Sequence, residues 1–350
     1  MRAPIGFGLL AVAAVLLTIG AELFAEHATD ASRRLGVTAL AIGLVLAGAE
    51  PEELVTAVFA SGQHHPGIAA GDAIGANVTM LTIVLGLAAL IRPFRTSARV
   101  VSYAVIAAVV GIAAAVALLV GGGPGRPAGA VLVVIYLAVV GLIWRRERRP
   151  PAFGEAAELA EDDGPAEDEE PAEAAEPAED EETAASVQAS ADEAAGNGTP
   201  ESRGRRGTRA VLLMAAGLVL MIAGGRLAVS GAARIVGSLG LRESVVGLTF
   251  VSLATTAELF ALVWAAARRG VEELALAGVL GSAIYNSTAT LGAAALVRPL
   301  TGTGIGWQAW LAAALPAAFA AWAIAFKRIG RSAGVLLVLV YAGYLAFTFG

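Results

Sequence analysis

The stretch Gly48-Ala49-Glu50-Pro51-Glu52-Glu53 lies in an apolar run from Val37 to Ala60 that is long enough to cross a bilayer. It puts three carboxylates and a proline where a membrane helix should meet hydrocarbon. An unpaired acid at the centre of such a helix costs about 2.5 to 3.5 kcal/mol even on the lenient insertion scale. Acids are kept at that depth when they face a cavity, a partner or an ion, so this stretch is read as part of a functional site.

The rest of the chain supports a membrane reading. Of 350 residues, 57% are hydrophobic, the mean hydropathy is 0.72, and soluble domains have an apolar share of about 45 to 50%. There are no cysteines, which excludes disulfides, thiolate metal sites and cysteine nucleophiles. The net charge of −6 is no guide to a nucleic-acid partner, because the acids concentrate between Pro150 and about Ser202. That segment is Ala, Glu, Asp and Pro with almost no large apolar residue, and it is expected to be a disordered tether.

Apolar stretches of membrane-spanning length fall near 5–25, 37–60, 68–91, 98–120 and 127–144. A second set falls near 210–231, 243–266, 272–297, 306–326 and 332–349. The sequence thus predicts an all-α membrane protein of ten helices, with a first five-helix unit at 1–146, an acidic linker at 147–208 and a second unit at 209–350. Arg2 followed by an apolar run could be read as a signal peptide, but an internal repeat includes this segment, which makes it the first transmembrane helix.

In that repeat, Gly20, Leu35-Gly36 and Gly43-Leu44 recur 204 positions later as Gly224, Leu239-Gly240 and Gly247-Leu248. Gly75, Gly86 and Arg92-Pro93 recur 206 positions later as Gly281, Gly292 and Arg298-Pro299. An odd number of spans per copy gives the copies opposite orientations, with broken helices and a binding site expected at the midplane. Most cationic residues collect in alternate loops, leaving only Arg2, Arg126, Arg226, Arg234, Arg242 and Arg298 elsewhere. This places the N-terminus outside and the linker in the cytoplasm.

The polar residues of the two copies correspond. After the acidic stretch come the turn Ser61 to Gly67 and then Gly71-Asp72-Ala73-Ile74-Gly75-Ala76-Asn77; the second copy has Ser252-Leu253-Ala254-Thr255-Thr256-Ala257-Glu258 and Gly281-Ser282-Ala283-Ile284-Tyr285-Asn286-Ser287. At the 206 offset Glu52 falls on Glu258 and Glu50 on Thr256. A hard cation such as Ca2+ takes about six to eight oxygens from carboxylates, hydroxyls, amides and backbone carbonyls. Candidate ligands are Glu50, Glu52, Glu53, Asp72, Asn77, Thr255, Thr256, Glu258, Ser282 and Asn286. Acids that meet without a metal repel one another, so some should hold protons or Na+ when the divalent ion is absent.

These motifs resemble those of the cation/Ca2+ exchanger superfamily, the family of the sodium/calcium exchangers, whose repeats carry Gly-Thr-Ser-x-Pro-Glu and then Gly-Asn-x-x-Gly-Ser-Asn-x-x-Asn. The resemblance covers roughly Gly20 to Pro93 and Gly224 to Pro299. It implies an antiporter rather than an enzyme, moving a divalent cation, Ca2+ foremost, against Na+ or H+, with no resident cofactor and with the first and sixth helices sliding over the others. The family's glutamates map onto Glu52 or Glu53 and onto Glu258. Asn77 and Asn286 match family asparagines, whereas Met80 and Ala283 replace two others. The added acids Glu50 and Asp72 make protons plausible counter-ions. A Na+ or K+/H+ antiporter and a transport-incompetent cation sensor or scaffold remain open alternatives. The expected partners are inorganic cations and the lipid bilayer, and no protein partner is indicated. The Ala-, Gly- and Arg-rich composition suggests a bacterial plasma membrane.

Other polar residues have plainer readings. Glu22, Glu26 and Asp30 form one helix face near an interface, and His64 and His65 occupy a solvated turn. Arg226, equivalent in position to Glu22, needs a partner or water, and Trp144 and Trp307 read as interfacial anchors.

Overall fold

The computed structural model describes residues 2–35, 50–147, 200–257, 259–260, 263, 272–300, 302 and 304–350. The first half comprises α1 (Arg2–Leu35), α2 (Pro51–Gly62), α3 (Pro66–Thr79), a π-helical turn (Met80–Val84), α4 (Leu85–Ile91), β1 (Phe94–Arg95), α5 (Ala98–Leu119) and α6 (Arg126–Glu147). The second comprises α7 (Pro200–Leu239), α8 (Glu243–Val246), a π turn (Gly247–Val251), α9 (Ser252–Thr255), α10 (Glu272–Tyr285), a π turn (Asn286–Thr290), α11 (Leu291–Val297), α12 (Gly306–Phe326), β2 (Arg328–Ile329) and α13 (Arg331–Phe349). Strands β1 and β2 pair antiparallel, Phe94 opposite Ile329 and Arg95 opposite Arg328.

Among the described residues, seven helices are long and apolar enough to cross a membrane. Their outer faces carry the side chains such an environment demands: Val109, Val134, Leu212 and Phe347 are 62, 62, 65 and 78% exposed. The protein is a multi-pass membrane protein. Burial is uneven, and this locates the centre. The span Pro66–Ile91 is 78% buried, against 28% for Ala3–Leu23 and 22% for Arg331–Phe349.

The sequence repeat has a structural counterpart. Adding 206 to the bounds of α3, its π turn and α4 gives the bounds of α10, its π turn and α11. Inside both π turns a threonine hydroxyl bonds back one turn, Thr82 to the carbonyl of Val78 and Thr288 to that of Ile284. Such back-bonding loosens a helix locally, and π turns interrupt helices most often at functional positions.

Several boundaries differ from the expectation. The helix expected to begin near 210 starts at Pro200, inside the segment assigned to the linker, and α1 continues to Leu35 instead of ending near 25, so Arg33 and Arg34 are helical rather than in a loop. Residues 148–199, the bulk of the linker, lie outside the described residues. Ser61 and Gly62 close α2 instead of opening a turn. The buried Ser61 hydroxyl donates to the carbonyl of Ala294 at 2.7 Å, which also accepts from the Arg298 N–H, and so ties α11 to α2.

Helices α1 and α7 pack antiparallel through small residues. A Cβ built on Gly6 would lie 2.9 Å from the carbonyl oxygen of Gly231, and one on Gly20 would lie 2.8 Å from that of Gly217. Helix α3 meets the π turn after α8 still more closely: a Cβ on Gly71 would lie 2.7 Å from the oxygen of Ser244, and one on Gly247 would lie 2.6 Å from that of Ile68. Only glycine allows this approach of backbones. It brings Asp72 on α3 against α9 of the other half.

Candidate cation site

Helix α2 begins at Pro51, a position where the missing N–H is no loss and the ring fixes a helical φ. Glu50 precedes it with non-helical dihedrals (φ −90°, ψ 80°) and accepts backbone hydrogen bonds from Glu53 and Leu54. Glu52 and Glu53 therefore occupy the first turn, where the positive end of the helix dipole favours carboxylates. All three acids are buried, at 5, 3 and 0% exposure for Glu50, Glu52 and Glu53.

The second half breaks its helix at the equivalent position. α9 ends at Thr255, and Thr256 leaves the helical region with φ −81° and ψ 4°. A helix start carrying acids is thus paired with a helix end, where the dipole is negative. The carboxylates of the first and the negative end of the second suit a cation. Helix breaks at membrane depth are tolerated only where protein or a cavity receives the freed backbone groups.

Within this frame Glu53 lies in electrostatic contact with Glu50, Asp72 and Glu52. The Thr255 hydroxyl donates to Asp72 Oδ1 at 3.1 Å, linking the halves across the break. All three glutamates also act electrostatically on Tyr285, Glu52 most strongly, and the buried Tyr285 ring meets Tyr136 edge-on with centroids 5.4 Å apart. Glu52 and Glu53 are both buried, and Glu53 is the one in electrostatic contact with Asp72.

The remaining candidates fall into place unequally. Asn77 Nδ2 donates to the carbonyl of Ala283 at 3.3 Å and to Ser287 Oγ at 2.9 Å. Ala283 is the repeat equivalent of Asn77, so the amide of one copy reaches the bare backbone of the other. Asn286 Oδ1 accepts from Thr290 at 3.1 Å, leaving Nδ2 toward the interior; an amide flip would present the oxygen instead. Thr256 points its hydroxyl back to the carbonyl of Ser252 at 2.7 Å. Ser282 is fully buried. Glu258 lies outside the described residues, as do Gly48 and Ala49.

Buried oxygens without a hydrogen-bond partner among the described residues include Asp72 Oδ2, Asn77 Oδ1, Ser282 Oγ and Thr56 Oγ1. Leaving such groups unmade costs about 1 to 3 kcal/mol each, and a bound cation would satisfy them. Among the described residues no three acidic or histidine side chains close on one metal-sized point. A cation here would take its remaining ligands from hydroxyls, amides and carbonyls.

Thr56, Tyr285 and Tyr136 were not anticipated. Thr56 had a signal, since it follows Glu53 by three residues and Glu52 by four and so shares their helix face. Tyr285 sits beside Asn286 in the quoted motif, but its neighbours become visible only when α6 and α2 are in place. The two histidines have partners: His65 Nδ1 lies 2.7 Å from Glu243 Oε1, and His64 meets Arg298.

A family model described as sodium/calcium exchanger protein matches residues 5–145 and 209–350. Over 343 residues, 95% of each chain, this one is 24% identical to the putative antiporter CaxA of Alkalimonas amylolytica. Over 94 residues, 26% of this chain and 27% of the other, it is 33% identical to the sodium/calcium exchanger MaX1 of Methanosarcina acetivorans. Its fold is similar to that of the sodium-calcium exchanger NCX_Mj soaked with Na+ and Sr2+, with a TM-score of 0.57, 24% identity and 98% of both chains covered.

Proposed function

We propose that this chain, which belongs to the sodium/calcium exchanger protein family, is a cation antiporter that exchanges Ca2+ for Na+ or H+ by alternating access. The observation that carries the reading is the buried cluster of Glu50, Glu52, Glu53 and Asp72 at a helix start, with Thr255 of the other half hydrogen-bonded to Asp72. Four acids in one apolar interior repel one another unless a cation or protons compensate them. Ions that share such a site displace each other, which is the physical basis of antiport. Asn77, Ser282, Asn286, Thr256 and Glu258 complete the proposed ligand set with hydroxyl, amide and carboxylate oxygens.

In this reading the fold is ten transmembrane helices arranged as two inverted five-helix repeats, 1–146 and 209–350, in a bacterial inner membrane. The N-terminus is outside and the acidic linker cytoplasmic. The matched bounds of α3–α4 and α10–α11 support it, as does the pairing of a broken helix in each half.

Flux into proteoliposomes tests the function. Ca2+ uptake driven by an outward Na+ gradient identifies Na+ as the counter-ion, and uptake driven by a proton gradient identifies H+. If Ca2+ neither moves nor competes under any gradient while Na+ or K+ exchanges for H+, the calcium reading is wrong; if no ion moves, the sensor or scaffold reading replaces it.

A further inference from the structure

A cavity of about 490 Å3 opens between α2 and α7, away from the buried acids, with Phe59, Gly62, Gln63, Arg226, Ser230 and Val297 among its walls. Among the described residues that line it, Arg226 is the only charged one. The residue lies well inside the apolar helix Thr208–Leu239, and its Cζ sits 5.6 Å from the centre of the Phe59 ring. Among the described residues no carboxylate pairs with it.

An arginine at this depth must meet a partner or water, and an aromatic face satisfies only its charge, through a cation–π contact. Arg226 lines the groove, and among the described residues its five N–H donors meet no hydrogen-bond acceptor. That planar, permanently charged fork matches the paired oxygens of a phosphate. Ser230, one turn further along α7, and Gln63, at the end of α2, add neutral donors at the same opening. The surroundings are cationic rather than acidic. Arg126 donates to the carbonyls of Leu296 and Val297 at 3.1 and 3.3 Å, and Arg298 lies beside His64. Such a groove repels a cation, which separates it from the exchange site.

We propose that this groove binds the phosphate of a phospholipid headgroup, with Arg226 as the anchor. The Arg226 head sits over Phe59, three residues before the end of α2, and long cationic side chains of membrane helices carry their heads toward the headgroup layer in this way. The lipid-exposed Val297, at 40% exposure, forms the adjoining wall for an acyl chain.

The test uses the full chain in detergent, titrated calorimetrically with dihexanoyl phosphatidylglycerol, dihexanoylglycerol and inorganic phosphate. Phosphatidylglycerol should bind saturably and dihexanoylglycerol should not. R226Q should weaken phosphatidylglycerol binding at least tenfold, and the double variant Q63L/S230A, which keeps Arg226, about threefold. R234Q, outside the groove, should bind like the parent chain. Binding of inorganic phosphate but not of phosphatidylglycerol would overturn the lipid assignment. Equal affinities for R226Q and the parent, with unchanged melting temperatures, would overturn the site itself. None of these readouts depends on ion flux, so failure here leaves the antiport reading untouched.

Discussion

Replacing Thr255 by valine removes one oxygen from the interior and almost no volume, which makes it the sharpest probe of the link between the two halves. The Thr255 hydroxyl has one proton and three acceptors in reach: Asp72 Oδ1 at 3.1 Å and the carbonyls of Val251 and Ser252, each at 3.2 Å. The carbonyls are already partnered within the helix or near its end, whereas the carboxylate carries charge when a cation is bound. A hydrogen bond to a charged group is worth about 1.5 to 3 kcal/mol. At about 1.4 kcal/mol per decade, T255V should weaken Ca2+ affinity by about 10- to 150-fold. The assay is Ca2+-dependent flux in proteoliposomes, with the half-saturating concentration as readout and the melting temperature in detergent as a check on folding. T255S keeps the hydroxyl and should stay within about threefold of the parent, the spread expected of a retained hydrogen bond. If T255V transports with parental affinity, the proton belongs to the backbone carbonyls and the bridge to Asp72 contributes nothing.

Four other outcomes follow from the geometry. E53Q removes a buried charge facing Glu50 and Asp72; losses of about 2 to 5 kcal/mol are usual for one member of a buried charged set, so exchange should fall by at least about 30-fold. The parent chain at Ca2+ a hundred times its Kd should gain about 2.7 kcal/mol of stability, visible as a raised melting temperature that chelation reverses and E53Q lacks. G75A forces a Cβ into the backbone of Leu248, whereas at Gly141 nothing lies within 4 Å; G75A should cost about 1 to 3 kcal/mol and lower the melting temperature, and G141A, inside α6, should hold or slightly raise it. H65A breaks a pair whose side chains are 30 and 32% exposed, and such pairs contribute about 0 to 1 kcal/mol, so flux and melting temperature should barely move; a large loss would give His65 a role the pairing does not.

What the sequence by itself determined is what short-range physics encodes. Twenty-residue apolar runs have no stable place except a membrane, and three acids with a proline inside one of them mark a helix break and a candidate site. The 204- and 206-residue offsets pair the halves, and the bounds of α10 and α11 fall where the 206 offset puts them. Glu50, Glu52, Glu53, Asp72, Asn77, Thr255, Thr256, Ser282 and Asn286 are all buried, as their place in apolar spans required. Helix ends were legible only approximately, since α1 and α7 extend beyond their apolar cores with polar residues that remain good helix formers.

Tertiary structure alone decided which of these groups meet. Hydropathy cannot tell a hydroxyl that bonds its own helix, as in Thr256, from one that crosses to another, as in Thr255, because both lie in the same apolar window and differ only in rotation about the helix axis. Nor could spacing choose between Glu52 and Glu53, which are adjacent and about 100° apart on α2. The approach of α3 to the turn at Gly247, set by glycines whose missing side chains let backbones touch, put Asp72 beside Thr255 and Glu53. The stretch from Glu50 to Glu53 is thus an acid-bearing helix start that becomes half of the proposed site only when the other half of the chain packs against it.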